Sequence, residues 1–427
     1  MQNSQPLDLE EALSRLYHTL PQMTRQMAIQ LTQAQGHILA EDVSAPGDLP
    51  PFNASAMDGY ALRQSDFQRN PQTKFTVVGS SRAGHPYPHA VGRGECVRIF
   101  TGAKVPEGAD QVILQEECAE PVGTGADATS SNTAAVDTTY VQFKPHTPSE
   151  SYVRPIGHDV KRGVLLANKG DYLNGFALGS LAASGVSEVQ VYAKPRVGVF
   201  STGDELVDPG TPLESLAEGQ IYDSNRFTVL SLLCHSPCEL LDLGRLPDDA
   251  AAVEEAFQRA AQQCQMLITR GGVSVGDADF VTATIQTLGQ LDFWRLNLKP
   301  GKPLAFGQIG DCYVFGLPGN PVSTIVTLLL LAKPAIWHYA GAQPHPPLRI
   351  PATLDGTLHH TPGRTEFQRG VLTQQQHKTI ARVTGDQSSN RLSTFFGANC
   401  LIEVPKNAGD LTTGAQVWVL PFTGLLD

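Results

Sequence analysis

Gln265-Met-Leu-Ile-Thr-Arg-Gly-Gly-Val-Ser-Val-Gly-Asp-Ala-Asp279 is the stretch that decides the fold of this 427-residue chain. Its apolar start, Gln265-Met-Leu-Ile268, reads as a buried strand. The strand stops in a glycine-rich turn, and Asp277 and Asp279 follow where a helix should begin. Backbone amides at such a turn, with a helix N-terminus behind them, form an anion-binding cradle. Two aspartates beside that cradle would repel a bare phosphate unless a divalent cation sat between them. The ligand this implies is a metal-bound phosphate.

Working outward, the chain from Arg196 alternates strand and helix. Strands are expected over 197–201, 239–244, 266–269 and 313–317. Helices are expected over 224–234, 248–262, 278–288 and 322–339. Strands spaced by helices of this length predict a parallel sheet with right-handed crossovers, which binds ligands beyond the carboxyl ends of its strands. Upstream, residues 9–17 and 23–39 carry helical patterns separated by Pro21, and 173–185 a third. Residues 50–153 alternate and are rich in turns, as in a β domain. Within them, 118–150 is dominated by Ala, Thr, Ser, Gly and Pro and reads as a mobile loop insertion. Gln343-Pro-His-Pro-Pro347 is a linker to a C-terminal stretch of short strands. The fold class expected is multidomain α/β plus β. It comprises an N-terminal α+β domain (1–48 with 154–193), an inserted β-rich domain (49–153), a central doubly wound α/β domain (194–341) and a small C-terminal β-barrel (342–427).

Bulk composition excludes several classes of partner. With 41% apolar and 17% charged residues the chain is a globular protein, and its net charge of −11 does not attract nucleic acid or anionic lipid. An anionic ligand must therefore be held by a local basic pocket. Seven cysteines without a CxxC pair imply buried thiols in a reducing compartment. The N-terminus has neither a basic start nor an apolar core, so no signal peptide is expected. The longest apolar run, 325–332, is broken by Lys333-Pro334 and falls short of the roughly 20 residues a bilayer needs. A cytoplasmic setting follows, with no membrane and no nucleic acid.

Unusual residues fall at the expected strand ends. Val197-Gly-Val-Phe200 runs into Ser201-Thr-Gly-Asp-Glu205, whose acidic pair emerges from the Gly203 turn. Turn and cap chemistry accounts for that segment equally well. Capping also explains Asp223 and Ser224 in Ile221-Tyr-Asp-Ser-Asn225, and Asp248 at a helix start. Gly272-Val-Ser-Val-Gly276 matches a G-x-S-x-G nucleophile elbow, which would need a later acid and histidine. Asp311 and His338 are the candidates, and His338 falls at the far end of a long helix. The acidic pair after the motif suits a phosphate-and-metal cradle better.

Arg295-Leu-Asn-Leu-Lys-Pro-Gly-Lys302 supplies positive charge, with Arg295, Asn297 and Lys299 on one face if the segment is extended. Gly316-Leu-Pro-Gly-Asn-Pro321 makes a rigid wall rather than a catalytic group. Outside the sheet, Asp58 is the ionisable group of Pro50-Pro-Phe-Asn-Ala-Ser-Ala-Met-Asp-Gly-Tyr60, and Arg98-Ile-Phe-Thr-Gly-Ala-Lys104 ends a strand at Thr101. Gly363-Arg-Thr-Glu-Phe-Gln-Arg369 and Gly385-Asp-Gln-Ser-Ser-Asn-Arg391 offer arginines and hydroxyls for a tetrahedral oxyanion.

In this order, Asn53-Ala-Ser-Ala-Met-Asp-Gly-Tyr60, Ser201-Thr-Gly-Asp-Glu-Leu206, Ile221-Tyr-Asp-Ser-Asn-Arg226, Gly271-Gly-Val-Ser-Val-Gly276, Leu298-Lys-Pro-Gly-Lys-Pro303 and Gly316-Leu-Pro-Gly-Asn-Pro321 resemble the molybdopterin molybdenumtransferase family, which includes the gephyrin E domain. The resemblance covers nearly the whole chain. It implies a homodimer with four domains per subunit and a central domain similar to molybdopterin adenylyltransferase. It also implies insertion of molybdate into adenylylated molybdopterin, with Mg²⁺ required and AMP released. The functional positions it implies are Asp58, Thr101, Asp159, Glu205, Asp248, Asp279 and Lys299, with Glu205 and Asp279 as the Mg²⁺ ligands.

Substrate-binding positions implied are Arg154, Ser201, Gly271, Gly272, Ser274, Gly276, Arg295, Lys302, Pro318, Gly319, Asn320, Pro321, Arg364, Arg369 and Ser388. The family commonly has lysine where Arg295 stands. A molybdopterin adenylyltransferase and molybdoenzyme chaperones are the protein partners it implies. Two alternatives remain open. A molybdopterin adenylyltransferase would have little use for residues 1–190 and 341–427, and a non-catalytic scaffold would need an exposed apolar groove.

Overall fold

The structure is a computed structural model that describes residues 6–70, 72–119, 123–125, 138–144, 150–270 and 280–426. Gly271, Gly272, Ser274, Gly276, Asp277 and Asp279 lie outside them, and with them the phosphate cradle and the elbow. The chain forms two compact units. One comprises Asp42–Ala167 and Phe176–Ser187, the other Met1–Glu41, Asn168–Gly175 and Glu188–Asp427.

The larger unit is built on β1 (Arg196–Thr202), α1 (Asn225–Leu233), β2 (Glu239–Leu246), α2 (Ala250–Ala261), β3 (Met266–Arg270), α3 (Phe280–Leu288), β4 (Gln290–Arg295), β5 (Pro303–Ile309) and β6 (Cys312–Leu317). The sheet order is β2-β1-β3-β6-β5-β4. The first four strands are parallel, as the alternation predicts. β5 then runs antiparallel to both β6 and β4, so β4 points the same way as the first four and the sheet is mixed rather than wholly parallel. Successive side chains point to opposite faces, and both faces are covered. Val197, Val199, Met266, Ile268 and Phe315 pack with Val229 and Leu233 of α1 and with Leu16. Phe200, Leu267 and Val314 pack with Val253 and Phe257 of α2 and with Ile285 of α3. Burial on both sides is why these strands are apolar at nearly every position.

One expectation on helices needs correction. Residues 23–39 are not a helix: Gln26–Gln30 is a strand paired antiparallel with Glu188–Tyr192, followed by a short 3₁₀ turn at Leu31–Gln33. The last helix runs from Pro321 to Tyr339, as expected, straight through the Lys333-Pro334 break in its apolar run. A π-helical turn, Leu328–Ala332, precedes the proline and absorbs its missing N–H. Lys333 is buried and donates to the Leu425 carbonyl at 2.6 Å. By length and composition this helix could cross a membrane, but 78% of its apolar window is buried within the protein.

Five strands close the C-terminal barrel. Thr365–Gln375 pairs with Lys378–Val383, which pairs with Ile350–Leu354, then Gln416–Pro421 and Cys400–Val404, and the last returns to the first. Its core holds Leu354, Ile402, Val404 and Val419. The two-residue strand Leu298–Lys299 joins the edge, with Lys299 opposite Glu366.

The smaller unit carries a six-stranded sheet, in the order Gln111–Leu114, Gly59–Leu62, Glu95–Ile99, Phe75–Ser81, Thr138–Val141, Gly123–Gly125. Its last two strands come from the stretch read as a loop insertion, and Val141 and Phe143 are buried in its core. Local composition there is poor in apolar residues, but the sheet edge supplies hydrogen-bond partners.

A buried charge cluster anchors the entry to α1. Asp223 is fully buried and accepts from the Ser201 hydroxyl at 2.5 Å, from the Arg226 backbone N–H at 3.2 Å and from Arg226 Nε at 3.2 Å. Arg226 Nη1 also donates to both Asp242 oxygens at 2.7 Å, and Nη2 contacts Asp208. Asp223 thus does the capping. Asp249, not Asp248, caps α2 by accepting from the Ala252 N–H at 2.8 Å. Removing the guanidinium leaves a buried carboxylate without its partner. Arg226→Met should therefore lower stability by about 3 kcal/mol or more, read as a shifted urea midpoint.

Candidate functional site at the mouth of the central sheet

In the order β2-β1-β3-β6 the chain leaves β1 toward one neighbour and returns on its other side, so β1 and β3 flank the topological switch point. A cleft of about 1040 Å³ opens at that point. Its sheet side is formed by Thr202, Gly203 and Glu205 after β1, Asp248 after β2 and Arg270 at the end of β3. Pro318, Gly319, Asn320 and Pro321 form another wall. Lys299, Lys302, Arg364, Glu366 and Ser388 close it from the link and the barrel.

Each group is held by identifiable contacts. Gly203 has φ +138°, and a Cβ there would sit 2.2 Å from Glu205 Oε2, so glycine lets the exposed Glu205 carboxylate fold back over its turn. Asp204 and Asp248 lace two loops together. Asp204 Oδ1 accepts the Asp248 N–H at 3.2 Å, and Asp248 Oδ2 accepts the Asp204 N–H at 3.3 Å. The proline wall is pinned from beneath: the buried Asn225 amide donates to the Gly319 carbonyl at 2.9 Å, and the Thr324 hydroxyl to the Pro318 carbonyl at 2.6 Å. The barrel loop docks on the same wall, with Asn320 Nδ2 donating to Ser389 Oγ at 3.0 Å and the Val322 N–H to the Ser389 carbonyl at 3.1 Å.

Lys299 is paired rather than free. Its Nζ lies 3.0 Å from Oε2 of the buried Glu366, whose same oxygen lies 2.7 Å from His360 Nδ1. Buried Arg369 does not reach the cleft. Its Nε donates to Thr394 Oγ1 at 3.0 Å, and its Nη atoms donate to the carbonyls of Gln387, Asp386 and Ser388 at 3.1–3.2 Å. Arg369 therefore shapes the 385–391 loop from inside, and burial pushes its guanidinium down to about 10. Ser388 lines the cleft itself, its hydroxyl donating to Asp386 Oδ1 at 2.5 Å. Arg364 lines it too, with Nη1 donating to the Leu298 carbonyl at 3.3 Å.

Other expected residues lie elsewhere. Ser201 is buried against Asp223 and makes no wall of the cleft. Arg295, Asn297 and Lys299 do not act together: Asn297 donates to Asp8 Oδ1 at 3.0 Å, and Arg295 is exposed at the end of β4 and accepts from the Leu7 N–H at 2.7 Å. His338 serves packing, its Nε2 donating to the Leu20 carbonyl at 3.2 Å and its ring against Tyr17. Burial holds its pKa below the ordinary histidine value.

Asp58, Thr101, Arg154 and Asp159 belong to the smaller unit. Ala54–Ser55 pairs with Val153–Arg154, and the Asp159 N–H donates to the Leu49 carbonyl at 3.0 Å. Asp58 Oδ1 accepts from the Thr101 N–H at 2.7 Å and its hydroxyl at 2.8 Å. These two bonds, the backbone one first, hold the Asp58 carboxyl below the ordinary carboxylate range.

Asn225, Arg270, Glu366 and His360 are site groups that the sequence does not announce. Asn225 and Arg270 sit inside quoted motifs whose cap and turn chemistry hides them. Elsewhere, an apolar groove lined by Leu232, Ile325, Leu329, Phe395 and Phe422, with exposed Phe396 at its rim, has Thr228 as its polar residue. No group of three or more His, Cys, Asp or Glu side chains suited to a metal ion occurs among the described residues.

Comparison with known proteins follows the same lines. The family models described as "MoeA N-terminal region (domain I and II)", "Probable molybdopterin binding domain" and "MoeA C-terminal region (domain IV)" match residues 7–185, 198–338 and 351–422. A molybdopterin molybdenumtransferase of Haemophilus influenzae is 40% identical over 98% of this chain and 100% of its own. Gephyrin of Dictyostelium discoideum is 32% identical over 91% of this chain and 58% of its own. The crystal structure of the molybdopterin biosynthesis moeA protein of Pyrococcus horikoshii OT3 is 28% identical with a TM-score of 0.78, covering 98% of this chain and 100% of that one.

Thr101→Val removes the hydroxyl bond to Asp58 and keeps the backbone bond. The depressed carboxyl contributes stability above its unfolded-state pKa and loses it as pH falls through the folded value. Carbon-13 carboxyl NMR should show Asp58 titrating at higher pH in the variant, yet still below an ordinary aspartate.

Proposed function

Because the chain belongs to the MoeA family of molybdopterin molybdenumtransferases, we propose that it inserts molybdate into adenylylated molybdopterin and releases AMP. One observation carries this reading. The cleft at the sheet mouth draws Lys299, Arg364, Glu366 and Ser388 from the link and the barrel as well as Glu205 and Asp248 from the sheet. A bare adenylyltransferase has no use for the barrel, whereas a site that must hold a pterin nucleotide and a second, tetrahedral anion needs more than one set of donors.

The protein's part in the reaction is to hold and orient. In the substrate the pterin–AMP phosphoanhydride must break where molybdate meets the dithiolate. Lys299, fixed by Glu366, and Lys302 and Arg364 offer cations to the incoming oxyanion, and the Ser388 hydroxyl a further donor. The Pro318–Pro321 wall, pinned by Asn225, resists deformation and keeps the two anions apart. Asp248 at the β2 end faces the same space.

Mg²⁺ is the cofactor the family implies, and Glu205 fits it: Mg²⁺ is held by one or two carboxylates with substrate phosphate oxygens and water, and this carboxylate is exposed at the cleft. Asp279 is the second ligand in this proposal. The bound ion would offset charge on the phosphate as AMP leaves. We further assign the enzyme to a cytoplasmic homodimer in which Asp58, Thr101 and Asp159 serve catalysis and Arg154 binds substrate, and we divide each subunit into four domains, 1–48 with 154–193, 49–153, 194–341 and 342–427. Light scattering at twice the chain mass tests the dimer.

With adenylylated molybdopterin, molybdate and Mg²⁺, AMP release should fall at least about 100-fold in Glu205→Ala and in Asp279→Ala, with circular dichroism unchanged. Undiminished release in both variants removes the metal assignment. ATP-dependent adenylylation of free molybdopterin, without molybdate-dependent AMP release, would replace the transferase by the adenylyltransferase.

A further inference from the structure

We propose that Arg270 grips the nucleotide phosphate of the substrate through the Nε/Nη2 edge of its guanidinium, an assignment that rests on the transferase reading above. Arg270 ends β3 and lines the cleft beside Thr202 and Gly203. Its side chain is 11% exposed, and its buried Nε has no hydrogen-bond partner among the described residues. Among the described residues, the polar neighbour of Nη2 is Glu205 Oε1 at 3.7 Å, beyond hydrogen-bond distance. The two donors on one side of a guanidinium form a planar fork that matches two oxygens of a phosphate. Here one tine is empty and the other barely engaged. A buried donor left in that state calls for an acceptor.

The position of Arg270 decides which anion that is. Lys299, Lys302 and Arg364, the other cations lining the cleft among the described residues, come from the link and the barrel. Lys299 is matched by Glu366, and Arg364 already donates to the Leu298 carbonyl. Arg270 alone of the four stands on the sheet side, where the strand order reverses and where parallel α/β sheets seat nucleotides. A phosphate there also lies beside the exposed Glu205, and a fixed guanidinium between them reduces their repulsion. Molybdate is a tetrahedral dianion of similar size, so the shared chemistry is an oxyanion with two oxygens on one edge, and the two sources are separated by experiment.

The full-length protein is titrated with AMP and, separately, with molybdate, as wild type, Arg270→Met and Arg270→Lys, with thermal midpoints recorded for each. The expected result is AMP affinity weakened about tenfold or more in Arg270→Met, partial recovery in Arg270→Lys because an ammonium lacks the fork, and molybdate affinity within twofold throughout. AMP affinity equal to wild type in either variant overturns the assignment, and so does a loss confined to molybdate. If Arg270→Met does not fold, Arg270→Lys alone carries the test. Wild-type turnover separates the two readings. Molybdate-dependent AMP release with no effect of Arg270 on AMP binding sinks this inference only, whereas absence of both AMP binding and turnover in wild type sinks the transferase as well.

Discussion

Burial of the central sheet on both faces is the constraint from which the site follows. With Val197, Val199, Met266 and Ile268 packed on one side and Phe200, Leu267 and Val314 on the other, a polar group in mid-strand costs free energy unless it is partnered. Ser201 meets that cost, since its hydroxyl is taken by Asp223 and Asp223 in turn by Arg226, whereas the buried Thr269 hydroxyl of β3 has no hydrogen-bond partner among the described residues. Polar residues that face solvent are thereby driven to the strand ends. Thr202, Glu205, Asp248 and Arg270 sit there because the sheet has no other place for them.

The barrel completes what the sheet begins. Lys299 belongs by sequence to the link between β4 and β5, but by pairing it belongs to the barrel edge, where Glu366 and His360 stand behind it. Arg369 works out of sight of the cleft: its donors gather three successive carbonyls, 386–388, and so fix the loop on which Ser388 is presented. Charge in this region is mostly internal wiring. Only part of it faces the open volume, and position rather than residue type decides which part.

That distinction explains what could be read from the sequence. β1, β3, β6, α1 and α2 announce themselves because their signals are local: unbroken apolar runs ending in Gly and Asp, and helical spacing between them. The strand Gln26–Gln30 does not, because what makes it a strand is Glu188–Tyr192, more than 150 residues away. β5 was hidden for a different reason: it runs antiparallel to both neighbours and no helix precedes it, so it lacks the alternation that marks a parallel crossover. Among site residues, the acidic pair at Glu205, the proline wall and the Lys299 segment were legible from composition at strand ends. The Glu366 counter-charge and the burial of Arg369 were not, although strand alternation gives their odd separation of three residues and hence their opposite faces.

The pairing of Leu298–Lys299 with Thr365–Glu366 has a consequence for how this chain can change. Between Arg295, where β4 ends, and Pro303, where β5 begins, the chain length is counted in whole residues, and side-chain direction reverses with each one. Dropping or adding a single residue on either flank would leave every charge in place by composition and aim the ammonium away from its carboxylate. Parity in this short connector, rather than its chemistry, is what ties the fate of the barrel to that of the sheet.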